Sequence, residues 1–240
     1  MEKQHEHIVR SYEEELTLLN NKVAKMGGLA EQVLGQSIEA LERRDPELAA
    51  ATINEDEAID LLEKEIEERA ILTIARRQPM AVDLREIVSA LRVANDLERI
   101  GDLAKNIAKR VMALEGDFPS PKLMRGVEHM SAMVLSQLKQ VLDAYAARDL
   151  PNAIKVWKSD EEIDAMCTSL FRELLTYMME DPRNITFCIH LFFCAKNIER
   201  MGDHATNIAE TVHYMIEGRP IADPRPKGDT TSFAALPLQG

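Results

Sequence analysis

Acidic side chains recur at a fixed spacing in two copies of one segment. The sequence ERIGDLAKNIA, residues 98–108, returns as ERMGDHATNIA, residues 199–209, with eight of the eleven positions identical. Each copy carries a glutamate and an aspartate four residues apart, namely Glu98 with Asp102 and Glu199 with Asp203. On a helix this spacing puts both carboxylates on one face, with Cβ atoms about 6 Å apart, where they repel each other. A bound cation or a basic partner would remove that repulsion.

A second acidic pair lies upstream of each copy. These pairs are Asp56 with Asp60 and Asp160 with Asp164. Each pair lies as far before a turn signal, near Pro79 or at Asp181-Pro182, as the later pair lies after it. Residues equidistant from the turn of a helical hairpin lie at the same height, because both helices rise about 1.5 Å per residue. The spacing therefore predicts four carboxylates at one level, once in each copy.

Two interpretations of these clusters follow from the residue types. Four hard oxygen donors suit Mg, Mn, Ca or Fe better than Zn. The alternative is a polar seam between helices, in which lysine, arginine or water meets the acids. Gly101 and Gly202 lie between the acids, and a glycine inside a helix usually marks the close approach of another backbone or a ligand. The residues themselves leave both interpretations open.

Composition excludes several classes of function. The net charge of −12 argues against nucleic acid as a partner, since phosphates reward an excess of lysine and arginine. The longest apolar run, residues 187–195, is far too short to span a bilayer, and the charged N-terminus has no signal-peptide core. The sequence contains no glycine-rich phosphate loop and no nucleophile elbow.

Apolar residues recur at intervals of three and four, which predicts an all-α fold. Asp45 and Asp149, each followed closely by proline, mark matching helix starts in the two copies. The Gly27-Gly28 pair inside the first helix predicts a kink or a close helix contact. The expected helices span about 4–43, 46–77, 81–115, 121–147, 151–180 and 183–217.

Each copy thus contributes one long helix followed by a hairpin that carries the acids. A single amphipathic hairpin cannot cover its own apolar face, so the third helix completes a bundle. We expect two tandem three-helix bundles, over residues 1–116 and 121–217. The proline-rich tail, residues 218–240, lacks periodicity and is expected to be flexible or to dock on the surface.

The duplicated ER[IM]GDxAxNIA motif, the paired DxxxD segments and MGGLAEQ at residues 26–32 are similar to the PhoU family of bacterial phosphate-signalling regulators. The resemblance covers roughly residues 5–217 and excludes the tail. Family members fold as two similar three-helix bundles in tandem. Some of them bind iron or other metals at E/DxxxD motifs. Carried over by position, the metal ligands here would be Asp56, Asp60, Glu98, Asp102, Asp160, Asp164, Glu199 and Asp203.

The resemblance also implies a role that spacing and charge do not show. It implies a cytoplasmic adaptor, peripheral to the membrane, between the phosphate ABC transporter at its ATPase subunit PstB and the sensor histidine kinase PhoR. Such an adaptor holds the phosphate-starvation response off when phosphate is plentiful. Dimers occur in the family, so a homodimer is a further expectation.

Three classes of function remain open at this point. The first is a regulatory binding module with no enzymatic activity, as the resemblance implies. The second is a metal-dependent phosphohydrolase that uses the carboxylate clusters to hold Mn, Fe or Mg and activate water. The third is a purely structural helical repeat, in which the acids could be replaced by alanine without loss of function.

Overall fold

The acid-bearing segments lie on two helical hairpins, each completed by a third helix. In the computed structural model, which describes residues 2–114 and 121–225, the first repeat consists of three long helices. They are α1 (Glu2–Arg43), α2 (Pro46–Arg77) and α3 (Val82–Val111). Helix α3 ends before the predicted position 115, and the segment between the two repeats, residues 115–120, lies outside the described residues. The second repeat contains α4 (Pro121–Ala147), α5 (Leu150–Lys158), α6 (Asp160–Glu180) and α7 (Ile185–Glu217). The predicted all-α fold of two tandem three-helix bundles is confirmed.

Matching caps start the second helix of each repeat. The Asp45 carboxylate accepts hydrogen bonds from the backbone N–H groups of Glu47 and Leu48, at 2.9 and 3.0 Å. Asp149 accepts one from the backbone N–H of Asn152 at 3.1 Å. These bonds satisfy N–H groups that have no partner inside the helix. The two caps confirm the predicted helix starts and set the height of the acids that follow.

The second repeat departs from the predicted helix over 151–180. Ser159 interrupts it with φ −82° and ψ −1°, so that α5 and α6 are separate helices. The Ser159 hydroxyl donates to the Val156 carbonyl at 2.9 Å and accepts from the Gln137 amide at 2.8 Å. A serine that bonds its own backbone in this way competes with the helical ladder. As a result Asp160 begins α6, whereas its counterpart Asp56 lies inside the unbroken α2.

The two bundles are joined mainly along α3 and α7, with a further contact between α1 and α4. Two cation–π contacts cross the α3–α7 boundary. The Arg92 guanidinium lies 4.7 Å from the centre of the Tyr214 ring, and that of Arg110 lies 4.2 Å from the centre of the Phe193 ring. Gly27 allows the α1–α4 contact, since a Cβ there would lie 2.8 Å from Leu142 Cδ1. Of the glycine pair, Gly27 therefore marks a close helix contact inside a continuous α1, whereas a Cβ at Gly28 would meet nothing within 4 Å.

A polar network also ties the repeats together. The buried Glu86 carboxylate of α3 accepts from the Asn20 amide of α1 at 2.9 Å and from the Arg148 guanidinium at 2.5 Å. The Tyr145 hydroxyl of α4 donates to Asn20 Oδ1 at 3.0 Å. Burial and the nearby Glu86 charge raise the pKa of Tyr145, so the phenol stays protonated as a donor. Both repeats supply partners for one buried carboxylate.

Candidate functional site

The first acidic cluster lies between α2 and α3 and is built around Asp56. The Asp56 side chain is 1% exposed, and Lys105 Nζ donates a hydrogen bond to its Oδ2 at 2.6 Å. Lys105 belongs to the repeated motif, three residues after Asp102 on α3. A buried carboxylate needs a paired charge or hydrogen bonds to remain stable. In this repeat the motif itself supplies the paired charge.

The other three acids of the first cluster are partly exposed. Asp60 is half-buried, while the side chains of Glu98 and Asp102 are 15% and 42% exposed. Arg99 lies between these two acids, with Nε 3.3 Å from Glu98 Oε2 and a terminal nitrogen 3.6 Å from Asp102 Oδ2. Of this cluster, only Asp56 is fully removed from water.

The pKa values of this cluster reflect burial and mutual repulsion. Burial raises the pKa of Asp56, the hydrogen bond from Lys105 lowers it, and the charges of Asp60 and Asp102 raise it further. The hydrogen bond to Asp56 raises the pKa of Lys105. Burial also raises the pKa of Glu98, against the attraction of Arg99. The carboxylates therefore influence one another, as expected for acids at one height on paired helices.

Gly101 provides the space in which Asp56 lies. A Cβ at this position would come within 2.8 Å of Asp56 Oδ1 and 3.0 Å of Ile59 Cδ1. In the second repeat a Cβ at Gly202 would lie 3.1 Å from Ile163 Cδ1. The glycines between the acids thus permit close packing of α2 and of α6, as the sequence predicted.

The substitution Gly101→Ala should therefore destabilise the protein. Overpacking of this kind costs roughly 1–3 kcal/mol, which exceeds the gain of about 1 kcal/mol in helix propensity. The matched control is Gly35→Ala in α1, where an added Cβ meets nothing within 4 Å. That control should raise the free energy of unfolding by about 0.5–1 kcal/mol. Urea denaturation would measure both variants, and the same sign for both would contradict the prediction.

The second acidic cluster is more deeply buried than the first. Asp160, Asp164 and Glu199 are 2%, 5% and 7% exposed, and the side chain of Asp203 is 34% exposed. Lys196 Nζ donates to Glu199 Oε1 at 2.8 Å. Burial raises the pKa of Glu199, the hydrogen bond from Lys196 lowers it, and the charges of Asp203 and Asp164 raise it.

Asp160 has no lysine beside it, because Thr206 stands where the first repeat has Lys105. The Thr206 hydroxyl donates to Asp160 Oδ1 at 3.1 Å. The positive charge comes instead from Arg225, whose guanidinium pairs with Asp160 and with Asp203 Oδ1. Arg225 lies on the segment that follows α7, beyond both repeats. The two clusters therefore have acids at matching positions of the repeat and differ in the source of their cation.

The ion pairs and hydrogen bonds that Lys105, Thr206 and Arg225 form with the acids are the contacts that the polar-seam interpretation predicts. Within the side chains described, residues 12–114 and 123–225, no three His, Cys, Asp or Glu residues are grouped so that they could hold a metal ion. The donor chemistry nevertheless fits a hard cation. Asp56 Oδ1 is buried and accepts no hydrogen bond from the described residues, whereas both oxygens of Asp160 are already engaged. Whether these acids bind metal remains a prediction.

Four further residues of these sites were not predicted from the sequence. Lys105 and Thr206 differ between the copies, and that difference was the available signal for their roles. Arg225 gave no signal, since it lies in a segment without periodicity. Asp96, which is 8% exposed, joins the repeats by accepting a hydrogen bond from the Asn207 amide at 3.3 Å and lying 2.9 Å from His204 Nδ1. His204 is thus held by an acid of the other repeat.

Known proteins share both the sequence and the fold. The PhoU domain model matches twice, at residues 23–111 and 127–212. A phosphate-specific transport system accessory protein PhoU homolog of Rhizobium meliloti is 57% identical, over 95% of this chain and 96% of that protein. The protein of the same name from Caulobacter vibrioides is 52% identical, over 95% of this chain and 99% of that protein.

Two solved structures support the same family assignment. The crystal structure of PhoU from Pseudomonas aeruginosa has a TM-score of 0.83 and 38% identity, covering 87% of this chain and 100% of that one. The phosphate transport system regulatory protein PhoU from Streptococcus pneumoniae has a TM-score of 0.81 and 28% identity, covering 88% and 99%. The double domain match, the identity along nearly the whole chain and the shared fold lead to one conclusion: this chain belongs to the PhoU family.

Proposed function

We propose that this protein is a negative regulator of phosphate signalling and phosphate uptake. It would act in the cytoplasm as an adaptor between the ATPase subunit of the phosphate ABC transporter, PstB, and the sensor histidine kinase PhoR. The observation that carries the proposal is the match of both repeats to the PhoU domain, together with close relatives named as accessory proteins of phosphate-specific transport. No helix in the described part of the chain is long and apolar enough to cross a membrane.

Exposed apolar side chains at the ends of both hairpins support action by binding. Near the α2–α3 turn, Met80 and Val82 are 80% and 51% exposed. Near the α6–α7 turn, Met179 is 82% exposed and Ile185 is 40% exposed. Clustered exposed apolar side chains are typical of surfaces that bind other proteins. The protein would then work through contacts made by its hairpin ends, without catalysing a reaction.

The proposal is tested by genetics and by binding together. In a bacterial host that lacks its own protein of this family, this chain should restore repression of a phosphate-starvation promoter at high phosphate. Immobilised protein should retain PstB and the cytoplasmic part of PhoR, and Met80→Ser with Met179→Ser should weaken that retention. A restored promoter without retention of either partner would keep the regulatory role and exclude the adaptor. Failure of both measurements would exclude the regulatory role as well.

We also propose that the eight acids can bind divalent or iron cations such as Mn, Fe or Mg. Asp56 Oδ1 is the oxygen that supports this, since it is buried without a donor. A bound cation would neutralise the clustered carboxylates, the task that Lys105 and Arg225 now perform. The candidate ligands in the first repeat are Asp56, Asp60, Glu98 and Asp102. Those in the second are Asp160, Asp164, Glu199 and Asp203.

Removing one acid pair should then lower the metal content by about half, because the repeats form separate sites. Elemental analysis of purified protein loaded with Mn would compare the unchanged chain with a Glu98→Ala, Asp102→Ala variant. The control variant carries Glu57→Ala and Glu161→Ala, since both glutamates are exposed on the same helices as the acid pairs. Equal metal content in all three proteins would contradict the proposal.

A further inference from the structure

The second repeat buries a carboxylate for which its own motif supplies no positive charge. Asp160 is 2% exposed, and Thr206, at the position of Lys105, offers only a neutral hydroxyl. Burying an ionised carboxylate without a compensating charge is strongly unfavourable. The cation must therefore reach Asp160 from outside the repeat.

Arg225 supplies this positive charge, and all three nitrogens of its guanidinium donate hydrogen bonds. Nε donates to Asp160 Oδ2 at 2.9 Å, and one terminal nitrogen donates to Asp160 Oδ1 at 3.1 Å. That same nitrogen reaches Asp203 Oδ1 at 2.6 Å and the Asp203 carbonyl at 3.3 Å. The other terminal nitrogen donates to Asn207 Oδ1 at 3.3 Å. A forked contact with one carboxylate is the geometry for which guanidinium is better suited than ammonium.

The chain is folded back so that Arg225 can reach this place. We call residues 218–225 the strap. At its start Gly218 adopts φ +74°, and its N–H caps α7 by donating to the Tyr214 carbonyl at 2.9 Å. A side chain at Gly218 would be strained and would collide with Arg85. The left-handed glycine therefore ends the helix and turns the chain back on itself.

From Gly218 the strap runs antiparallel to α7. His213 Nδ1 donates to the Arg219 carbonyl at 3.0 Å, and Ile221 packs against the apolar core. Arg225 then lies at the level of Asp203 and Asn207. The strap thus retraces about 20 Å of α7, a distance that its residues can span when extended. Its contacts at successive levels of α7 fix the position of the arginine.

We propose that the second acidic cluster is an arginine-binding site whose resident ligand is Arg225, carried on the strap. The strap closes the second repeat by supplying the charge that Lys105 supplies within the first. Since the arginine lies on a segment outside the bundle, it can leave while the helices stay folded. The first repeat, whose lysine is part of α3, has no such freedom. The proposal is independent of the partners considered above, whereas a metal ion at the second cluster would compete with Arg225 for Asp160 and Asp203.

The test compares two variants, in each of which one arginine of the strap is replaced by alanine. Arg225→Ala should lower the backbone order parameters of Ile221, Ala222 and Asp223 from about 0.85 to below about 0.6, and should lower the melting temperature by about 5–10 °C. Arg219→Ala is the control, since the Arg219 side chain is 77% exposed and its ion pair with Glu217 is loose, at 3.7 Å. It should change neither quantity appreciably. Equal behaviour of the two variants would overturn the proposal.

Two rescue experiments distinguish a binding site from general packing. Millimolar ethylguanidine should raise the melting temperature of Arg225→Ala and leave that of Arg219→Ala unchanged. Adding Thr206→Lys to Arg225→Ala should restore the melting temperature while the order parameters of the strap stay low, because the lysine takes the role of Lys105. Failure of both rescues would overturn the proposal.

A conservative variant covers the case in which Arg225→Ala does not fold. Arg225→Lys keeps the positive charge and loses the forked contact with Asp160. The order parameters of its strap should lie between those of the unchanged chain and the values below about 0.6 that are typical of a flexible segment. Order parameters equal to those of the unchanged chain would show that the site does not select guanidinium, and would overturn that part of the proposal.

Discussion

Replacing Lys105 by threonine is expected to lower the free energy of unfolding by about 3 kcal/mol. Threonine is the residue at the matching position of the second repeat, so the substitution copies a natural pattern. It leaves the Asp56 carboxylate, 1% exposed, without its cation at 2.6 Å. We place the loss at the lower end of the range for broken buried pairs, because the Lys105 side chain is itself 25% exposed. Urea denaturation followed by circular dichroism would measure the loss.

Two companion variants make this result specific. Arg43→Ala removes an ion pair of 2.7 Å with Glu39 in which both side chains are largely exposed, and should cost about 0–1 kcal/mol. Asp56→Asn combined with Lys105→Thr removes both charges and should recover most of the loss, since no unpaired charge then stays buried. A loss for Lys105→Thr no larger than that for Arg43→Ala would contradict the prediction.

The substitution Ile59→Ala should cost about 3 kcal/mol and should also destabilise the second repeat. Ile59 is fully buried in α2 beneath Gly101, so truncation leaves a cavity. The single tryptophan, Trp157, is buried in the second repeat and donates to Glu210 Oε1 at 3.1 Å. Because α3 packs along α7, unfolding of the first bundle exposes a face of the second, and we expect one cooperative transition. Trp157 fluorescence in urea should therefore report the lower stability caused by a cavity in the other repeat.

The control for this experiment lies on the same helix. Ile71 is 56% exposed, so Ile71→Ala makes the same chemical change without a cavity and should stay within about 0.5 kcal/mol of the unchanged chain. An unchanged Trp157 transition in Ile59→Ala, accompanied by a separate early loss of helix, would show that the two bundles unfold independently.

Local signals predicted most of the fold correctly. The caps at Asp45 and Asp149 formed as expected, because an N-cap depends on a side chain and the backbone two or three residues away. Apolar periodicity predicted the helices for a similar reason, since it records which face of each helix is buried. The break at Ser159 was missed, because a serine within an apolar period is equally compatible with a continuous helix. Its hydroxyl is held by Gln137 of another helix, a contact that the spacing of residues does not reveal.

In the candidate sites, too, some features could be predicted from the sequence and others depended on tertiary contacts. The positions of the eight acids, and the need for glycine at 101 and 202, could be derived from the sequence, because the register of a helical hairpin follows from the distance of each residue to its turn. Which charge meets each buried acid was decided by the tertiary structure. Lys105 lies 49 residues from Asp56 in the chain, and Arg225 lies 65 residues from Asp160. A pairing over such a separation depends on how helices and tail pack together, and it gives two nearly identical motifs cations from different sources.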